Sequence, residues 1–102
     1  MVRITYDKDY KHIELLGHTN ETLCASISSL VFFSVNLAMN FNMYFGGITL
    51  TDDGQDKMEI FNESSDENVK KVFANLILHL EDLQRQYPES VEVILLWKKK
   101  NL

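Results

Sequence analysis

The sequence predicts an α+β fold: a two-layer sandwich of order β-β-α-β-β-α-β, with two helices on one face of a mixed, mostly antiparallel sheet. Three observations carry this. Short stretches alternate apolar and polar residues with period two. Two longer stretches space their apolar residues by three and four. Short polar or glycine-bearing connectors separate them, and 102 residues are enough for one core and one domain.

Each element follows in order. Val2, Ile4 and Tyr6 alternate with Arg3, Thr5 and Asp7, the pattern of a half-buried strand. Asp7-Lys8-Asp9 makes a polar turn, and residues 10–16 form a second strand, a hairpin partner ended by Gly17. Residues 21–44 read as a helix with Leu23, Ile27, Leu30, Val31, Ser34, Val35, Ala38, Met39 and Asn42 on one stripe. Phe32, Phe33, Leu37 and Phe41 fall partly outside that stripe, so the helix is either central or covered by a partner subunit. Gly46-Gly47 ends it. Ile48 and Leu50 mark a third strand, Asp52-Asp53-Gly54 a hairpin turn, and Met58 and Ile60 a fourth strand. Ser64 with Glu67 reads as a capping box for a second helix. That helix carries Val69, Val72, Phe73, Leu76, Ile77, Leu80 and Leu83 on one face and stops at Tyr87-Pro88. The last strand, 91–97, ends in the apolar run Ile94-Leu95-Leu96-Trp97 and is expected at the centre of the sheet, buried on both faces.

Composition narrows the function. With 45% apolar and 25% charged residues, disorder is not expected. A net charge of -5 disfavours binding to phosphate backbones, so no direct nucleic-acid partner is expected. The only basic cluster, Lys98-Lys99-Lys100, reads as a solvated terminus. The Met1-Val2-Arg3-Ile4 start lacks a charged and then apolar leader, so no secretory signal is expected. The apolar stretch from Leu30 to Phe41 is too short for a bilayer, and no membrane partner is expected. One cysteine fits a reducing cytosol.

That cysteine, Cys24, is the candidate nucleophile. It stands near a helix start, six residues after His18. A helix N-terminus and a neighbouring imidazole both favour the thiolate, and first-turn N–H groups point where an oxyanion would form. The alternative is a packed, inert thiol, since free cysteines are among the most buried residues. Glu21 either orients the His18 ring or complements the helix dipole. Asn20 or Thr19 caps the helix. Ser28, one turn after Cys24, is expected to bond a carbonyl within the helix. His12 and His79 are expected at the surface or satisfied in the core. Asp52, Asp53 and Asp56 read as a turn, because the twelve-residue calcium pattern is missing. Neither a metal-ligand spacing nor a nucleotide fingerprint occurs, so no cofactor is expected.

Gly17-His18, followed by Cys24-Ala25-Ser26-Ile27-Ser28-Ser29-Leu30 and Phe33-Ser34-Val35-Asn36, resembles the ribosomal-processing cysteine protease family (Prp). The element order of the C-terminal half fits as well, so the resemblance spans 1–102 as a single domain. It implies a cytoplasmic cysteine endopeptidase that removes an N-terminal extension from a large-subunit ribosomal protein. It also implies His18 as the base, Cys24 as the nucleophile, Gly17, Glu21 and Ser28 as motif positions, and a homodimer. Two departures stand out: Thr19 replaces a usual alanine, and the span from His18 to Cys24 is shorter than the glycine-containing loop of typical members. The shorter span raises a second reading, a non-catalytic binding module that holds a ribosomal-protein tail or partner protein.

Overall fold

The computed structural model describes residues 1–41, 47–54 and 56–96. The order is β1 (Val2–Tyr6), β2 (His12–Gly17), α1 (Glu21–Phe41), β3 (Ile48–Asp52), β4 (Lys57–Asn62), α2 (Glu67–Gln86) and β5 (Val91–Leu95). The strands form one sheet in the order β3-β4-β2-β1-β5, antiparallel except for the β1–β5 pair. The predicted α+β sandwich is therefore the fold observed.

Strand directions explain why both helices share a face. β3 runs parallel to β2, and β5 runs parallel to β4, so β2-α1-β3 and β4-α2-β5 are both crossover units. They start from antiparallel strands and move in opposite directions across the sheet. Given the right-handed preference of such crossovers, opposite moves from opposite strands deliver their helices to the same side. There α1 packs against α2 and β3, while α2 packs against β5. Beneath them lie Val2, Ile4, Ile13, Leu15, Ile60 and Val91, interleaved with Leu23, Ile27, Val31, Val35 and Ala38 of α1 and Val69, Phe73, Leu76, Ile77 and Leu80 of α2. Those helix residues all belong to the predicted stripes; of the other stripe positions Ser34 is buried, Leu30, Val72 and Leu83 pack partly buried against the core, Met39 is exposed, and Asn42 lies outside the described residues.

Four local expectations need correction. β2 begins at His12 rather than residue 10, because Tyr10 takes a left-handed turn (φ 56°) and stacks on Tyr6. α2 is capped by Asp66, whose side chain accepts the Asn68 N–H; Ser64 instead accepts the Asp66 N–H one step earlier. β5 lies at the edge of the sheet, not its centre, and Leu95 and Leu96 are exposed. Finally, α1 runs 21 residues and is, by length and composition, apolar enough to cross a membrane. The apolar character extends N-terminally of Leu30, through Leu23, Cys24, Ala25 and Ile27. The predicted helix end at 42–44, Gly46, Trp97 and the lysine tail lie outside the described residues.

Candidate active site

The site forms at one end of the sheet, where β2 and β3 finish and β1 and β4 begin. Gly17 makes that end possible. It closes β2 at φ +97°, a conformation side chains rarely adopt, and a Cβ there would run into the Met1 carbonyl oxygen. The chain then turns through His18, Thr19 and Asn20 into α1. Asn20 is the cap: its side-chain oxygen accepts the Leu23 N–H at 2.9 Å, and its carbonyl accepts the Cys24 N–H at 2.9 Å. Cys24 is thus the fourth helical residue, one turn from the positive end of the helix.

A cleft of about 190 Å³ opens here. Val2, Leu15, Ile27 and Met58 supply apolar walls, and Gly17, His18, Cys24, Ser28 and Asp56 add polar groups. Cys24 is half-buried and His18 exposed. The thiol is oriented by the turn before the helix: it accepts the Thr19 N–H at 3.3 Å and donates to the Thr19 carbonyl at 3.6 Å. With Leu23 and Cys24 amides satisfied, the first-turn N–H groups of Glu21 and Thr22 carry no hydrogen bond among the described residues. They are the donors that α1 offers to an anion at its start.

His18 is held from the turn that precedes β4. Its Nδ1 meets Asp56 Oδ1 at 2.8 Å. Asp56 also accepts the Gly17 N–H through its backbone carbonyl at 2.7 Å. Sequence reasoning missed this role because Asp56 lies 38 residues from His18 and resembled a turn residue. The turn reading itself was correct, since Asp52 Oδ1 accepts Gly54 N–H and Asp53 Oδ1 accepts both Asp56 N–H and Lys57 N–H. Glu21 sits exposed in the first turn of α1, while the His18 Nδ1 partner is Asp56. Ser28 faces the cleft, and the helical back-bond expected of it is made by Ser26, whose hydroxyl donates to the Thr22 carbonyl at 3.0 Å.

The other histidines lie elsewhere. His12 pairs with Glu59 at 2.8 Å and stacks on Phe61, and the exposed His79 borders the groove between the helices. The His12 hydrogen bond, reinforced by Lys57, holds the Glu59 carboxyl below the usual glutamate range, against partial desolvation. Among the described residues no group of His, Cys, Asp and Glu could hold a metal ion.

Comparison with known proteins places this site in context. The model of the cysteine protease Prp family matches residues 1–92, which include His18, Cys24 and Asp56. The fold is shared with the ribosomal processing protease Prp of Staphylococcus aureus bound to a covalently linked product peptide (TM-score 0.75, 19% identity, 93% of this chain and 97% of that one). A second structure of that protease, with a substrate peptide, gives TM-score 0.71 at 18% identity over 90% and 94% of the two chains. SMU.848 of Streptococcus mutans gives 0.71 at 23% identity over 92% and 95%. No curated protein matches the chain.

Proposed function

This chain belongs to the Prp cysteine protease family, and on that premise we propose that it is a cytoplasmic cysteine endopeptidase that removes an N-terminal extension from a large-subunit ribosomal protein. The observation that carries the reading is that Cys24 and His18 line one cleft at the start of α1. The S. aureus neighbours, described as ribosomal processing proteases and solved with substrate and product peptides, support a peptide substrate.

With Nδ1 engaged by Asp56, Nε2 of His18 is the nitrogen that takes the Cys24 proton. The resulting thiolate attacks the scissile carbonyl carbon. The oxyanion that forms is stabilised by the Glu21 and Thr22 N–H groups. Collapse of the intermediate breaks the peptide bond, and His18 returns its proton to the leaving amine. Water, deprotonated by His18, then hydrolyses the thioester and frees the enzyme. Before substrate arrives the thiol rests on the Thr19 backbone and must leave it to meet His18.

The working form is a homodimer in this proposal. Phe33 is 67% exposed and Phe32 45% exposed on α1, a large apolar surface for a lone domain. The adjoining groove between the helices, about 550 Å³, is lined by Leu30, Leu37, Val72 and Leu78.

The test is cleavage of a peptide that copies the N-terminal extension of the host's ribosomal protein, followed by mass spectrometry. Cys24→Ala and His18→Ala should each abolish the product. Undiminished cleavage by Cys24→Ala would overturn the mechanism. Tight binding of the peptide by the wild type without any cut would favour the non-catalytic binding module.

A further inference from the structure

We propose that Asp56 is the positioning residue for His18, fixing which ring nitrogen faces the thiol; this rests on the reading of His18 as the base. Three contacts build the arrangement. Asp56 Oδ1 lies 2.8 Å from His18 Nδ1. The Asp56 carbonyl accepts the Gly17 N–H at 2.7 Å, and the Asp56 N–H donates to Asp53 Oδ1 at 3.1 Å. The carboxylate is therefore carried on backbone tied to the residue immediately before His18 and to the turn that precedes β4.

A carboxylate only accepts hydrogen bonds, so the ring nitrogen it faces carries the hydrogen. For a neutral imidazole this leaves the lone pair on Nε2, the nitrogen required to receive the thiol proton. Without Asp56 the ring is free to hold its hydrogen on either nitrogen and to rotate. His18 and Asp56 side chains are 71% and 55% exposed, so the pair adds little to stability. Its effect is on the orientation of one side chain. Asp56 does not touch the reacting atoms; it acts through His18. The role that sequence spacing offered to Glu21 is thereby filled from the β3–β4 turn.

The experiment compares wild type, Asp56→Asn and Asp56→Glu in peptide cleavage and in nitrogen-15 spectra of the His18 ring. Asp56→Asn should lower kcat about 10- to 100-fold with KM unchanged, below the loss seen in a buried triad because this pair is solvated. Its ring spectrum should move from one protonated at Nδ1 to a mixture of tautomers. Asp56→Glu should recover part of both. A kcat within twofold of wild type together with an unchanged ring spectrum would overturn the proposal. The ring spectrum is scored independently of cleavage: if wild type cuts no peptide, the endopeptidase reading fails, and the spectra still decide whether Asp56 sets the tautomer.

Discussion

Gly17→Ala tests the backbone that presents His18. At φ +97° an alanine is strained, because its Cβ crowds its own backbone; that alone costs about 1–2 kcal/mol. The second cost is spatial. The new methyl would overlap the Met1 carbonyl oxygen, with the Met1 carbonyl carbon at 3.5 Å and the Val2 Cα at 3.8 Å. All three are backbone atoms: Met1 is joined to Val2, which sits opposite Gly17 in the sheet, and its amino group donates to the His18 carbonyl at 2.9 Å, so they cannot rotate aside as a side chain would. Overpacking of this kind adds about 1–3 kcal/mol, for a total of roughly 2–5 kcal/mol. At roughly 5 °C per kcal/mol for a domain of this size, Tm falls by about 10–25 °C. Gly54→Ala is the control: its φ is +77° but nothing lies within 4 Å of the added methyl, so only the conformational cost remains, about 1–2 kcal/mol. Urea and thermal unfolding followed by circular dichroism would measure both. Equal losses for the two variants would refute the argument from close approach, and a Gly17→Ala loss under 0.5 kcal/mol (roughly the range of ordinary surface changes) would refute it entirely.

Two further outcomes are expected. The Glu59 carboxyl, held below its ordinary value of 4.5 first by the His12 hydrogen bond, contributes stability that is present above pH 4.5 and lost as pH falls through its lower folded-state value. Urea midpoints of Glu59→Gln should therefore decline less steeply through that acid range than those of wild type, and parallel curves would contradict the assignment. In sedimentation, wild type should run as a dimer and Phe33→Asp as a folded monomer, because a charge on this exposed α1 position leaves the core untouched. A monomeric wild type, or a Phe33→Asp protein that still dimerises, would discard the α1 interface.

Much of the architecture was legible because it is local. Alternation in 2–6 and the three–four spacing of Val69, Phe73, Leu76 and Leu80 report which face each element buries, wherever that element ends up. The two errors at element ends were also local and arose from competing choices: Asp66 captured the cap that Ser64 could have supplied, and Tyr10 turned instead of extending. The misplacement of β5 has another source. An apolar run says that a strand is covered, but not whether sheet neighbours stand on both of its sides. Only the crossover from β4 over β2 and β1 decides that.

The same division runs through the site. By itself the sequence determined the order of elements, the capped start of α1 and the presence of a thiol one turn inside it, with an imidazole six residues before. Tertiary structure alone decided what those groups meet. The antiparallel register that sets Leu16 against Lys57 brings Asp56 to Gly17, and so to the His18 ring. A pairing between strands leaves no trace in residue spacing, because it is chosen by the burial of whole faces and not by any short motif.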